Sequence, residues 1–219
     1  MEKIFKVAIL GCGSRGALFT AYMLKMTKFE VVALCDKNQK QLEKMHGLYG
    51  LNNTQDFTQV EDFFKEKRAD VLVIATDDRV HVAQCVQAME LGYDVLLEKP
   101  VSDNRAELEL LLSTQERTKR KVVVCHELRY GPGFDLCKKY LKAGKIGRLY
   151  AMEASERPVY WHWAQAYVRG AGAYLELSHP AILAKCSHDL DLVQNFAGSE
   201  CESLSSVGGL DFFKEENAP

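Results

Sequence analysis

The sequence predicts an α/β protein in which a doubly wound parallel sheet is followed by a smaller, incomplete α+β unit. Short runs of β-branched and apolar residues recur through the first half of the chain, and they are continuously apolar rather than alternating. Such runs are typical of parallel strands covered on both faces. Stretches of helical period separate them, which favours right-handed βαβ crossovers. The pattern changes after Cys125, so we predict one domain over residues 1–125 and a second over residues 126–219.

Six strands are predicted in the first domain, over residues 5–10, 31–35, 53–57, 71–75, 95–97 and 122–125. Apolar stripes predict three helices between them. Their inward-facing residues are Phe19, Tyr22, Met23 and Met26 in a helix over residues 14–26; Val82, Cys85, Val86 and Met89 in a helix from Asp78 that stops at Gly92; and Leu108, Leu111 and Leu112 in a helix capped by Ser102 or Asp103.

The second domain mixes helices and strands in the sequence pattern. We predict a helix over residues 134–147, a strand over 148–156, an aromatic loop over 160–174, a helix over 181–196 and a strand over 203–210. Two strands do not make a stable sheet, so this unit is predicted to be incomplete.

Composition narrows the classes of partner. The net charge of -2 gives no basic field for nucleic acid, and no apolar run has the length that a membrane span needs. The start MEKIFKVAIL has too short an apolar core for a signal peptide, so we expect a cytoplasmic protein. Seven cysteines are scattered singly, without metal-ligand spacing or a disulfide framework. The expected partners are small molecules or further copies of the chain, and no metal site is predicted.

The stretch GCGSRG follows the first predicted strand and opens the first predicted helix. In this context Gly11 permits a tight turn, Gly13 lets a diphosphate approach the backbone, and Gly16 lets helix and strand pack closely. The helix N-terminus, which begins with Ser14 and Arg15, then attracts the diphosphate. The alternative is a bare turn, with Asp36 capping a helix that begins at Lys37.

Asp36 ends the second predicted strand, where a carboxylate can accept hydrogen bonds from both adenosine ribose hydroxyls. The same carboxylate would repel a 2′-phosphate, which favours NAD over NADP. Arg15 and Lys37 could each reach a 2′-phosphate, so NADP stays possible.

The fifth strand continues into DVLLEKPVS, and the segments HELRYGP, AGKIGRLY and KCSHDLDL follow it. Together with the glycine fingerprint, these segments resemble the Gfo/Idh/MocA family of nicotinamide-dependent sugar and polyol oxidoreductases, from Val7 to Gly198. The resemblance implies a Rossmann domain followed by an α/β domain with a large, mostly antiparallel sheet. Members are longer than this chain, so much of that sheet is expected to be missing. The strand edges left behind are expected to make copies associate as a homo-oligomer.

The resemblance also implies roles for individual residues. Lys99 would contact the substrate hydroxyl and the nicotinamide ribose, with Pro100 in a cis peptide that aims it. His188 would be the general base, with Lys185 beside it. Many relatives have an aspartate where this chain has Ala184, which departs from their pattern. The further residues implied to contact the cofactor are Thr76, His81 and Glu98.

Residues 129, 130 and 160–174 are the candidate substrate contacts. The resemblance implies Arg129 and Tyr130, and the aromatic loop contributes Trp161, His162 and Arg169. Aromatic rings with interleaved polar groups suit a sugar ring, although such residues can equally pack a loop onto its domain. From spacing alone, Lys185 and Asp189 predict a surface ion pair beside His188, and His81 could equally lie at a helix surface.

The resemblance leads us to expect an NAD-dependent dehydrogenase acting on a sugar, sugar derivative or polyol. Two alternatives remain within it. Some relatives are NAD-dependent glycosidases that oxidise a sugar transiently, and a repressor of galactose genes binds dinucleotide as a sensor without catalysis.

Overall fold

A computed structural model describes residues 3–209 and 211–217. By its internal contacts, the chain divides into two compact units, Met1–Cys125 and His126–Pro219. Among the described residues, no helix is both long enough and apolar enough to cross a membrane.

The first unit alternates strands and helices along the chain. The strands are β1 (Phe5–Leu10), β2 (Phe29–Cys35), β3 (Gln55–Phe57), β4 (Val71–Ile74), β5 (Asp94–Leu97) and β6 (Val122–Val124). The helices between them are α1 (Ser14–Met23), α2 (Gln39–Tyr49), the one-turn α3 (Val60–Phe63), α4 (His81–Glu90) and α5 (Arg105–Thr118). All five strand pairings are parallel, and the sheet order is β3-β2-β1-β4-β5-β6. The predicted doubly wound parallel sheet is therefore confirmed, with its reversal of strand order between β1 and β4.

Each face of the sheet carries its own apolar core. One core joins Val7, Ile9 and Val73 of the strands to Met23 of α1 and to Leu42 of α2. The other core packs the opposite face against α3, α4 and α5; its members include Leu72, Ile74, Phe63, Cys85 and Leu111. Burial on both faces explains why the strands are continuously apolar.

Two predicted helical stripes were partly wrong. α1 ends at Met23, and its buried residues are Gly16, Thr20 and Met23, so Tyr22 and Met26 are exposed. In α5 the buried residues are Leu111 and Thr114, and Leu112 is exposed. In both helices the buried face is narrower than the apolar stripe, because the sheet covers only one side.

The predicted helix caps also need correction. Asn104, rather than Ser102 or Asp103, caps α5 by accepting a hydrogen bond from the backbone N–H of Ala106. Ser102 instead donates to Glu107 at 2.5 Å. Asn38, rather than Asp36, caps α2 and accepts from the Lys40 N–H.

The regular secondary structure of the second unit is helical among the described residues. Its main helices are α6 (Pro132–Lys142), α7 (Tyr160–Trp163) and α8 (Ala181–Ala197). α8 agrees with the prediction, and α6 ends five residues before the predicted position 147. The predicted loop 160–174 is wrong, since α7, a π-helical turn (Ala164–Val168) and a 3-10 turn (Ala171–Ala173) occupy it.

Neither strand predicted in the second unit forms among the described residues. Residues 149–159 and 201–209 are without regular structure, and Leu210 of the predicted strand 203–210 lies outside the described residues. A strand needs a partner to satisfy its backbone groups, and the described part of this unit offers none. The strand edges expected to join copies are thus not formed there, and association of copies stays a prediction.

An ion pair connects α2 to β3 in the first unit. The Nε2 atom of His46 lies 2.6 Å from Oδ2 of Asp56, and its Nδ1 atom lies 2.5 Å from the carbonyl oxygen of Leu51. Both partners are acceptors, so only the doubly protonated ring serves both. The hydrogen bond that His46 donates to the Asp56 carboxylate accordingly raises the pKa of His46 above its ordinary value.

We expect His46→Asn to destabilise the protein more at pH 5.5 than at pH 8.5. A raised folded-state pKa adds stability that is complete below the unfolded-state pKa and is lost as the pH rises through the folded-state value. The pair is partly exposed, so its contribution should stay below about 1 kcal/mol. Urea unfolding at the two pH values measures this difference, and Asp56→Asn should reproduce it. Equal destabilisation at both values would contradict the role given to this pair.

Candidate functional site

Two glycines of GCGSRG hold the turn after β1 in place. Gly11 has φ of +89°, and a Cβ there would overlap the carbonyl group of Ala75, which follows β4. A Cβ on Gly16 would overlap the carbonyl oxygen of Gly11. The predicted tight turn and close packing are therefore confirmed.

Gly13 differs from both, because a Cβ there would meet no atom within 4 Å. It borders a cleft of about 560 Å³ that is also lined by Gly11, Ser14, Arg15, Asp36 and Thr76. α1 begins at Ser14 with no side-chain cap and no acidic residue in its first turn. Uncapped N–H groups beside open space fit a bound diphosphate.

Asp36 directly follows β2 at the edge of this cleft. Its Oδ2 atom accepts a hydrogen bond from the Cys12 N–H at 2.7 Å, and its Oδ1 atom accepts from the Asn38 N–H at 2.8 Å. The carboxylate thus braces the glycine turn, which the sequence did not predict. Burial, followed by the charge of Asp36, raises the pKa of the Cys12 thiol to about 12, so the thiol stays neutral.

The two cations that could have met a 2′-phosphate both have carboxylate partners. The Nε atom of Arg15 lies 2.6 Å from Oε1 of Glu98, whose side chain is buried. The Nζ atom of Lys37 lies 3.0 Å from Oδ2 of Asp77, in an exposed pair.

His81 is fully buried, which corrects the expectation that it contacts a cofactor. Its Nδ1 atom lies 2.8 Å from the carbonyl oxygen of Pro100, and its Nε2 atom lies 3.2 Å from that of Thr76. The ring therefore ties the loop after β4 to the loop after β5, and it positions both. The surface alternative is wrong for the same reason.

Lys99 comes two residues after the end of β5. Its backbone N–H donates to Oε2 of Glu98 at 3.1 Å, and the expected cis peptide between Lys99 and Pro100 is present. The lysine thus stands at the carboxyl edge of the parallel sheet, where such sheets bind ligands.

In the second unit, His188 lies on α8 near the segment that follows β6. Its Nε2 atom is 3.7 Å from Oε2 of Glu127, and its ring meets that of His126 edge-on at 5.9 Å between centroids. The predicted ion pair between Lys185 and Asp189 is not formed within the described ranges. His126 and Glu127 are neighbours that sequence reasoning missed, although they are the first two residues of the quoted segment HELRYGP.

Arg129 and Asp191 form a fork-shaped pair beside these residues. The Nε atom of Arg129 lies 2.5 Å from Oδ2 of Asp191, and a second guanidinium nitrogen bonds Oδ1. The hydrogen bond raises the pKa of Arg129. Nδ1 of His126 also lies 3.1 Å from this buried carboxylate. Two guanidinium nitrogens of Arg129 are thus hydrogen-bonded to Asp191, which favours a positioning role for Arg129 over the predicted substrate contact.

The other candidate substrate residues do not join this cluster through any described contact. Tyr130, Trp161 and Arg169 are exposed, and His162 packs against the rings of Trp161 and Tyr167. Across residues 3–209 and 211–217 there is no group of three metal-ligating side chains.

Residues 5–126 match the Gfo/Idh/MocA model, which describes an oxidoreductase family with an NAD-binding Rossmann fold. This match covers more than half of the chain. The chain belongs to the Gfo/Idh/MocA family. Its glycine turn and open cleft are those of the NAD-binding domain of that family.

Relatives of this Gfo/Idh/MocA chain include carbohydrate enzymes by name. It is 26% identical to glycosyl hydrolase family 109 protein 2 of Akkermansia muciniphila over 188 residues, covering 81% of this chain and 39% of that protein. The chain spans about half the length of the first curated relative it matches.

Two crystal structures share its fold. Myo-inositol 2-dehydrogenase of Lactobacillus plantarum is 20% identical, with a TM-score of 0.75 covering 90% of this chain and 57% of that one. The WlbA dehydrogenase of Bordetella pertussis, solved with NADH and UDP-GlcNAcA, is 22% identical, with a TM-score of 0.74 covering 90% and 56%. At these identities the likeness shows the fold alone.

We expect Gly13→Ala and Gly16→Ala to fail in different ways. The Gly13 methyl group would enter the open cleft, so the melting temperature should be kept while NADH affinity falls about tenfold or more. The Gly16 methyl group would overlap backbone, so that variant should lose thermal stability as well. Thermal unfolding and NADH fluorescence titration separate the two effects.

Gly47→Ala is the matched control, because Gly47 lies within α2 with no atom near its Cβ position. It should keep full NADH affinity and gain slight stability. Unchanged NADH affinity in Gly13→Ala would contradict the assignment of the cleft.

Proposed function

We propose that the protein is an NAD-dependent dehydrogenase that transfers a hydride between nicotinamide and a secondary hydroxyl of a sugar, sugar derivative or polyol. The observation that carries the proposal is the position of Lys99. It follows β5 at the carboxyl edge of the sheet, and the Arg15–Glu98 pair links it to the dinucleotide cleft. The sugar derivative bound to WlbA and the inositol named for the other structure support this substrate class.

The first unit would hold the cofactor. Gly11, Gly13 and Ser14 would present backbone to the diphosphate, and Asp36 would accept the adenosine ribose hydroxyls. Bound NAD would supply the hydride acceptor. With Arg15 and Lys37 both paired to carboxylates, the cleft favours NAD over NADP.

Proton movement would fall to Lys99 and to residues of α8. Lys99 would donate a hydrogen bond to the substrate oxygen, and His188 would take the hydroxyl proton as general base. Glu127, 3.7 Å from His188, would stabilise the imidazolium in place of the aspartate that Ala184 replaces. Lys185, three residues before His188 on α8, would add positive charge at the same oxygen.

The remaining proposals concern the substrate contacts, the cellular location and the oligomeric state. The exposed Tyr130, Trp161 and Arg169, with His162, would stack on and hydrogen-bond a carbohydrate. We also propose a cytoplasmic protein, which its seven singly scattered cysteines support, and a homo-oligomer.

We expect Asp36→Ala to weaken NADH binding about tenfold and to shift the preference toward NADPH, because an acceptor of ribose hydroxyls and a repulsive charge are both lost. Titration with each dinucleotide measures the ratio of the two dissociation constants. Asp70→Ala is the control, since Asp70 also accepts a backbone N–H, that of Lys6 at 2.9 Å, but lies away from the cleft lining. Tighter binding of NADPH than NADH by the unchanged protein would overturn the role of Asp36.

We expect Lys99→Met and His188→Asn each to lower kcat at least 100-fold, as loss of a general acid or base does, and His188→Asn to keep NADH affinity within about twofold. The assay is NADH formation across a panel of sugars, sugar derivatives and polyols, followed by kinetics on the best substrate. Lys65→Met, at an exposed lysine paired with Asp62, should match the unchanged protein. Full turnover by either variant would contradict its assigned role.

An NAD-dependent glycosidase is the second candidate, favoured by the 26% identity to a glycosyl hydrolase family 109 protein. Release of nitrophenol from nitrophenyl glycosides, with no net NADH, would select it over the dehydrogenase. NADH binding without turnover in either assay would instead indicate a dinucleotide sensor.

A further inference from the structure

Arg15 occupies an unfavourable place for a cation. It lies in the first turn of α1, where the helix dipole is positive and no acidic side chain of the helix offsets it. The compensating charge comes from Glu98, which is 83 residues away along the chain and directly follows β5.

Glu98 is a buried carboxylate with both oxygens in use. Its side chain is 5% exposed; Oε1 accepts from Arg15 Nε at 2.6 Å and Oε2 accepts from the Lys99 N–H at 3.1 Å. A buried carboxylate is costly without a charged partner. Removal of Arg15 would therefore leave a buried charge uncompensated and favour movement of Glu98 toward water, which would disturb its bond to Lys99.

A second anchor holds the same segment from another direction. His81 Nδ1 lies 2.8 Å from the carbonyl oxygen of Pro100. The backbone on either side of the Lys99 side chain is thus fixed by one ion pair and one buried ring.

We infer that Arg15 is a positioning residue for Lys99, acting through Glu98. It couples the glycine turn of the cleft to the lysine at the end of β5. The importance of Lys99 rests on the proposed function, to which Arg15 is added as a further residue. The coupling of Arg15 to Lys99 concerns only the geometry of the first unit.

The test follows Lys99 without any substrate. Lysines are methylated reductively with ¹³C-formaldehyde, and the Lys99 signal in a proton–carbon correlation spectrum is assigned by its loss in Lys99→Arg. We expect Arg15→Met and Glu98→Gln each to shift this signal. Glutamine has one carbonyl oxygen for two donors, so one bond is lost.

Arg117→Met is the matched control, because Arg117 forms an exposed ion pair with Glu90 in the same unit. It should leave the Lys99 signal unchanged. Arg15→Lys, which keeps the charge, should restore much of the unchanged spectrum, a rescue that a purely steric role would not give.

The shift of the Lys99 signal in the double variant Arg15→Met/Glu98→Gln should differ from the sum of the shifts in the two single variants. The reason is that the second change removes the buried charge that the first leaves unpaired. If Arg15→Met does not fold, Glu98→Gln carries the comparison, with Arg117→Met as its control and Arg15→Lys as the variant expected to leave the signal near its place. A Lys99 signal that is unmoved in both Arg15→Met and Glu98→Gln, or moved equally in Arg117→Met, overturns the inference. Failure of the proposed function would appear elsewhere, as full turnover by Lys99→Met.

Discussion

A Cβ atom at position 16 would overlap the carbonyl oxygen of Gly11, and one at position 11 would overlap the carbonyl of Ala75. Three backbone segments therefore meet without intervening side chains where β1 passes into α1 beside the end of β4. This close approach brings the start of α1 to the point where the strand order reverses, which is where open α/β sheets bind ligands. The cleft beside Gly13, the brace from Asp36 to Cys12 and the reach of Arg15 toward Glu98 all depend on it.

Charge at this edge of the sheet is arranged in short, local pairs. Arg15 meets Glu98, Lys37 meets Asp77, and Asp36 accepts two backbone N–H groups. The cleft, which Glu61 also lines, consequently offers neutral N–H groups and carboxylates, rather than an excess of cations, to a ligand. That balance suits a diphosphate and a ribose with free hydroxyls better than a ribose with a further phosphate.

The second unit is organised around a buried carboxylate as well. Asp191 of α8 holds the guanidinium of Arg129 and the ring of His126, and so ties the segment after β6 to α8. Glu127 is carried by that same segment and lies near His188. The carboxylate beside His188 thus comes from the segment after β6. Many relatives instead have an aspartate on the helix itself, at the position that Ala184 occupies in this chain.

By itself, the sequence determined the six strands, three of the helices that cross between them and the glycine turn, because each of these follows from local pattern and backbone sterics; the cis peptide before Pro100 was implied by the family resemblance. Only the tertiary structure decided the partner of Arg15, the bridging place of His81, the exposure of Tyr22, Met26 and Leu112, and the pairing of Arg129 with Asp191. These depend on atoms brought together from distant positions or on which side of a helix its neighbours cover. The strands predicted at 148–156 and 203–210 do not form among the described residues for a related reason: a strand pattern is realised only where another strand completes its hydrogen bonds.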